Sequence, residues 1–162
     1  MKLPTTHTSH KSPKAYKPYY LLSLLLFLLA SCDKTPANGA LDGHWQLTSI
    51  ETPEASTQTK DNLTFLSIQL EIAQFEDHTS NTRLYSHFTH QGDSLLFFDL
   101  SHPSAHSVDD NTTQWVTAEE LDKGLMNPWG IHTLHTRFHI QTLTSSSLVL
   151  EKADTLLRFR KF

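Results

Sequence analysis

The feature that most constrains this chain is a succession of short segments in which apolar and polar residues alternate, each cut off by a turn signal. The clearest is Leu66–Ile72, with Leu66, Ile68, Leu70 and Ile72 on one face and Ser67, Gln69 and Glu71 on the other. A period of two sends successive side chains to opposite faces of a strand. One apolar and one polar face describe a strand of an antiparallel sheet. Comparable segments are His44–Ile50, Arg83–Thr89, Ser94–Leu100, His132–Ile140, Leu148–Glu151 and Thr155–Phe162. Gln91–Gly92–Asp93 reads as a hairpin turn, Lys152–Ala153–Asp154 as a second tight turn and Thr142–Ser147 as a polar one. Adding Thr112–Thr117 as a short strand brings the expected number to eight. This spacing predicts an all-β, antiparallel sandwich or barrel.

One helical piece interrupts the pattern. Thr117–Ala118–Glu119–Glu120 fits a capping box, in which Thr and the Glu three residues on satisfy the free N–H groups of a first turn. Gly124 suits the helix end and Pro128 forbids extension. The expected helix is therefore Ala118–Lys123, before the last three strands. Thr52–Asn62 and Asp99–Thr113 read as long polar connections, of a length that is often functional or disordered.

The amino terminus carries a different signal. Lys11, Lys14 and Lys17 precede the apolar run Leu21–Leu29, which ends in Ala30–Ser31–Cys32. Basic, apolar and small-residue regions in that order describe a secretory signal. Leu29–Ala30–Ser31–Cys32 resembles the lipobox of bacterial lipoproteins, which implies lipid on Cys32, the only cysteine. The run is shorter than the roughly 20 residues that span a bilayer. The expected organisation is a signal peptide over 1–31, a tether over 32–41 rich in turn-forming residues, and one β domain over 42–162. From Cys32 onward nine basic residues face 17 acidic ones, a net charge of −8. That balance argues against nucleic acid and anionic lipid as partners. With Cys32 acylated, no thiol remains for a disulfide, so burial alone must hold the domain.

Leu41–Asp42–Gly43–His44–Trp45–Gln46–Leu47, with the ending Leu156–Phe162, resembles the opening and closing of lipocalin-like lipoproteins of the Bacteroidetes type, many of unknown function. The resemblance implies an up-and-down, lipocalin-like barrel of about eight strands. It also implies that the Gly-x-Trp tryptophan, Trp45, closes one end of the barrel under an arginine of the last strand, Arg158 or Arg160. With the lipid anchor, the expected location is the cell envelope, the outer membrane ahead of the inner.

Chemistry is sparse. No nucleophile elbow, phosphate loop or metal-protease motif occurs. Glu119–Glu120 is explained by the helix dipole, and Asp109–Asp110 by a polar loop. His132, His135 and His139 cluster in sequence, but a zinc site would need a ligand from another strand, such as His87. We therefore expect no enzyme activity, no cofactor and no metal. An eight-stranded barrel is just wide enough to be filled by side chains or to hold one small ligand. Trp45, Phe88, Phe97, Phe138 and Trp129 are the candidate ligand-binding residues, and each serves equally well as core. The expected role is non-catalytic binding of a small apolar or amphipathic molecule. The alternative is an accessory lipoprotein binding an envelope protein.

Overall fold

A computed structural model of the chain describes residues 36–59, 61, 63–103 and 113–162. The strands are β1 (Gly43–Glu51), β2 (Ser56–Gln58), β3 (Thr64–Gln69), β4 (Ile72–Asp77), β5 (Thr82–Gln91), β6 (Ser94–Ser101), β7 (Thr136–Leu143), β8 (Ser147–Lys152) and β9 (Thr155–Lys161). Among the described residues a single α-helix, α1 (Ala118–Asp122), precedes the last three strands, and 3-10 turns form at Gly39–Leu41 and Asn127–Trp129. From β3 to β9 each strand pairs antiparallel with the next. β1 pairs with both β3 and β9 and so closes the sheet. The result is an eight-stranded up-and-down barrel, with β2 as a ninth strand on the rim beside Ser49–Glu51. Closure leaves the eight barrel strands without a free edge.

Two-residue hairpins explain where the strands stop. Leu70–Glu71, Gly92–Asp93 and Ala153–Asp154 each join paired strands, and the first residue of each has a positive φ: 56°, 61° and 50°. Only the middle one uses glycine, the residue suited to that angle. The expected single strand Leu66–Ile72 is therefore two strand ends around a turn. Leu70, read as an inward residue, is 65% exposed at its tip. The eighth barrel strand is β4 and not Thr112–Thr117. Trp115 makes only an isolated bridge to Ser101, and Thr112 lies outside the described residues.

Other boundaries shift for local reasons. β7 begins at Thr136 because Thr133 folds the chain beforehand. Its hydroxyl donates to the His135 carbonyl at 2.9 Å, and Thr136 Oγ1 donates to the Thr133 carbonyl at 2.9 Å. Thr142 and Leu143, read as turn, extend β7; the turn is held by Thr144 Oγ1, which accepts from the Ser147 amide at 2.9 Å. The connection Thr52–Asn62 contains β2, and its Lys60 and Asn62, like 104–112 in the second long connection, lie outside the described residues. The capping box forms as expected: the Glu120 amide donates to Thr117 Oγ1 at 3.3 Å, and the Thr117 amide to Glu120 Oε2 at 2.8 Å.

One end of the barrel is closed by Trp45. Its indole Nε1 donates to the Leu41 carbonyl at 2.8 Å, and Leu41, placed by the sequence at the end of the tether, is a core residue. The basic residue over the indole is Lys161, with Nζ 4.8 Å from the ring centroid and bonded to the Ala40 carbonyl at 3.1 Å. The expectation of Arg158 or Arg160 fails on parity. Leu157, Phe159 and Lys161 share the inward face, so the two arginines point outward. Arg158 binds Glu51 with two bonds of 2.6 and 3.0 Å, and Arg160 binds Gln46 Oε1 at 2.8 and 3.0 Å. Gly43 makes room for the lysine. Its φ is 145°, and a Cβ there would overlap the Lys161 stem.

Gly43→Ala should cost about 1–3 kcal/mol of stability, through an unfavourable backbone angle and that overlap. In a Lys161→Ala background the shift in urea midpoint should shrink. An undiminished penalty would assign the whole cost to the backbone angle. Leu70→Asn should raise the midpoint, by up to about 1 kcal/mol, because Asn tolerates the positive φ that Leu resists; a lowered midpoint would show that the exposed leucine contributes packing.

Candidate ligand site at the open end of the barrel

The candidate ligand-binding aromatics are brought together, but as a packed core. Phe75 meets Phe97 edge-on at 5.1 Å between centroids and Trp129 at 5.5 Å. Phe97 in turn meets Phe138 at 6.0 Å and Phe88 at 6.4 Å. Trp45, Phe88, Phe97, Phe138 and Trp129 are all buried. The small gap left among Leu66, Phe97, Trp129, Phe138 and Phe159 does not admit a water molecule. Trp129 arrives from outside the sheet. The segment from Val116 through α1 to Ile131 folds over the end opposite Trp45, burying Val116, Leu121, Met126, Trp129 and Ile131, and Trp129 Nε1 donates to the Phe65 carbonyl at 3.2 Å. Burial of roughly 150–250 Å² at about 25 cal/mol per Å² makes Trp129 worth on the order of 4–6 kcal/mol. A ligand inside the barrel would have to displace that contribution.

The plug leaves a gap at its margin. Between the Asn127–Gly130 turn, the end of β1 and the β8–β9 hairpin lies a cavity of about 340 Å³. Phe138, Leu157 and Ile50 give it an apolar floor, and Asn127, His132, Thr155 and Lys152 bring polar groups to its wall. Lys152 Nζ donates to the Gly130 carbonyl at 3.1 Å and lies 6.0 Å from the Phe138 centroid. Desolvation by its surroundings pulls its pKa below the ordinary lysine value. The volume is at the small end of the range for ligand pockets, about 300–1,000 Å³. Two wider depressions, of about 660 and 650 Å³, flank Pro103 and have mixed polar linings that include Glu76, Arg83, Asp99 and His102.

The histidines are spread among unrelated tasks. His87 and His135 sandwich Phe98 on the outer wall, with centroid distances of 6.0 and 6.4 Å. His139 Nδ1 lies 3.4 Å from Asp93 Oδ2, and His132 lines the open end. Among the described residues, no three His, Cys, Asp or Glu side chains are placed to hold a metal ion. Trp115 is 56% exposed, bridged to Ser101 of β6. Cys32 lies outside the described residues.

A family model of the lipocalin-like domain matches residues 26–162, most of the chain. The chain belongs to the lipocalin-like domain family. Among solved structures, this lipocalin-like barrel is similar to a lipocalin-like protein from Bacteroides uniformis, at 21% identity and a TM-score of 0.57. That alignment covers 76% of this chain and 100% of the other. It is also similar to an uncharacterized protein from Bacteroides eggerthii, at 24% identity and a TM-score of 0.52, over 75% of this chain and 99% of the other. No curated protein matches the chain. At such identities the likeness establishes the fold alone.

Lys152 is the site residue that the sequence reading missed, and a signal for it existed. Leu148, Leu150 and Lys152 continue one alternation in β8, so the inward face runs one residue past its last leucine. The neighbouring rim is fixed by Arg158 and Glu51. The hydrogen bond from Arg158 is the largest influence on the Glu51 carboxyl and, against opposing desolvation, holds its pKa below the ordinary 4.5. A depressed carboxyl stabilises the fold above its unfolded value, and that contribution is lost as pH falls through the folded value. The melting temperature should therefore fall on acidification below about pH 4.5. It should fall less steeply in Glu51→Gln, and equal slopes would remove Glu51 from the acid transition.

Proposed function

We propose that this lipocalin-like protein is a non-catalytic binding protein, held at the cell envelope by lipid on Cys32, that takes a small apolar or amphipathic molecule at the open end of its barrel. The observation that carries the binding role is the cavity beside Lys152, which has an apolar floor and polar groups on one wall. The filled core argues for the rim over the interior, because a molecule at the rim displaces no buried aromatic. The anchor rests on the basic, apolar and small-residue order that ends at Cys32. Maturation of the lipoprotein type, with several chains on one cysteine, meets the need for more than one chain in stable anchoring.

A second reading has its own observation. Trp115 and Ile72 are exposed on the outer wall near the His87–Phe98–His135 stack. Exposed apolar surface of this kind suits an envelope protein partner.

Native mass spectrometry of the full-length chain, purified from membranes and incubated with a total organic extract of the envelope, small acids and alcohols included, tests both parts. The expected spectrum shows a covalent acyl mass that Cys32→Ala abolishes. It also shows one non-covalent mass that Thr155→Trp, which fills the open end, removes. A chain without acyl mass refutes the anchor. A chain that carries no non-covalent mass refutes small-molecule binding from this source and leaves the partner reading.

A further inference from the structure

We infer that the molecule taken at the open end is a monoanionic amphiphile of the carboxylate class, with its head on Lys152 and its apolar part on Phe138, Ile50 and Leu157; this deepens the proposed binding role and rests on it. Among the described residues, Lys152 is the only formally charged one lining the cavity, and it is positive in a chain whose net charge is −4. Its ammonium carries three donors. One is used on the Gly130 carbonyl, and among the described residues no carboxylate pairs with it. A half-buried cation without a counter-charge is costly. The depressed pKa of Lys152, caused by desolvation, registers that cost. A carboxylate at this position would supply the missing charge and accept the remaining N–H groups, in bonds stronger than neutral ones.

The neighbouring groups fit the same head. Asn127, His132 and Thr155 make no side-chain hydrogen bond among the described residues. Their side chains therefore remain available to a second carboxylate oxygen. A single lysine is a point charge. It matches a monoanion better than a phosphate dianion, which would call for more donors. Size limits the rest. At about 30 Å³ each, the share of a water molecule in the liquid, a cavity of 340 Å³ holds roughly eleven non-hydrogen atoms. That admits an aryl or short alkyl acid and excludes a diacyl lipid.

The test compares three probes of one skeleton, 3-phenylpropionate, 3-phenylpropanol and 3-phenylpropylamine, by calorimetric titration of the full-length chain in lipid nanodiscs, with empty nanodiscs as blank. The acid should bind at least tenfold more tightly than the alcohol, and the amine more weakly still. Lys152→Gln should abolish the preference, bringing the acid-to-alcohol affinity ratio to within twofold of one. Lys152→Arg should retain the preference. Equal binding of acid and alcohol by the native chain would overturn the anion inference and leave the binding role standing. So would undiminished acid binding in Lys152→Gln, with Lys152 then serving only to hold the Gly130 turn. Absence of binding by all three probes would overturn the inference, while the binding role would still be decided by the non-covalent mass in the native spectrum. The comparison on the native chain stands even if a substitution impairs folding.

Discussion

The seam between β1 and β9 is the constraint on which the rest of the barrel depends, because it joins the two ends of the domain and turns an open sheet into a closed one. Its pairings span more than a hundred residues, so each is formed against a long loop closure. Side chains reinforce it at three levels: Arg158 on Glu51, Arg160 on Gln46, and Lys161 over Trp45. A bulge at Thr48 shifts the register between Leu47 and Ser49, and its hydroxyl returns to the Arg158 carbonyl at 3.0 Å. With no disulfide, these contacts and the core hold the two ends together. Gly43 belongs to this seam as much as Trp45 does, since only a residue without a side chain lets the Lys161 stem cross there.

Closure defines an interior, and the aromatic residues decide what that interior can do. Four phenylalanines and Trp129 meet at offset and edge-on distances of about 5–6.5 Å, the range in which aromatic pairs attract beyond their buried area. Trp129 comes from the plug and not from a strand, so the plug is part of the core and not a lid lying on it. Access is therefore displaced to the margin, where the Asn127–Gly130 turn stops short of the β8–β9 hairpin. Gly130 makes that stop possible by adopting the left-handed region, with φ of 64°. Fold and candidate site are thus coupled: the turn that inserts Trp129 also presents the carbonyl that fixes Lys152.

What could be read in the sequence followed from how each turn is made. The Gly92 hairpin and the capping box at Thr117 and Glu120 use residue types that announce their conformation, and both were legible. The Leu70 hairpin hides a positive φ under a leucine in an uninterrupted alternation, and nothing local marks it. β4 hides for the same reason: Ile72 continues the alternation of Leu66–Leu70, so no turn residue marks a new strand before Ala73 and Phe75. The barrel, its strand direction and the place of the helix survive these errors, since they depend on the number and period of the segments and not on their exact ends. The candidate aromatics were legible as inward-facing. Whether they line a space or fill it was not, because that depends on how the plug docks.

The two inward-facing lysines show how one side chain can serve structure at one end of a barrel and remain available at the other. Lys152 and Lys161 each extend an apolar alternation by one step, each bonds one backbone carbonyl at 3.1 Å, and each lies by an aromatic ring. Lys161 sits 4.8 Å from an indole, the strongest aromatic partner for a cation, with its stem against Gly43. Lys152 sits 6.0 Å from a phenyl ring, at the limit of such an attraction, beside open space. The first is occupied by the fold. The second bears the cost of partial burial with less compensation, so the open end is the place where an added counter-charge would gain most.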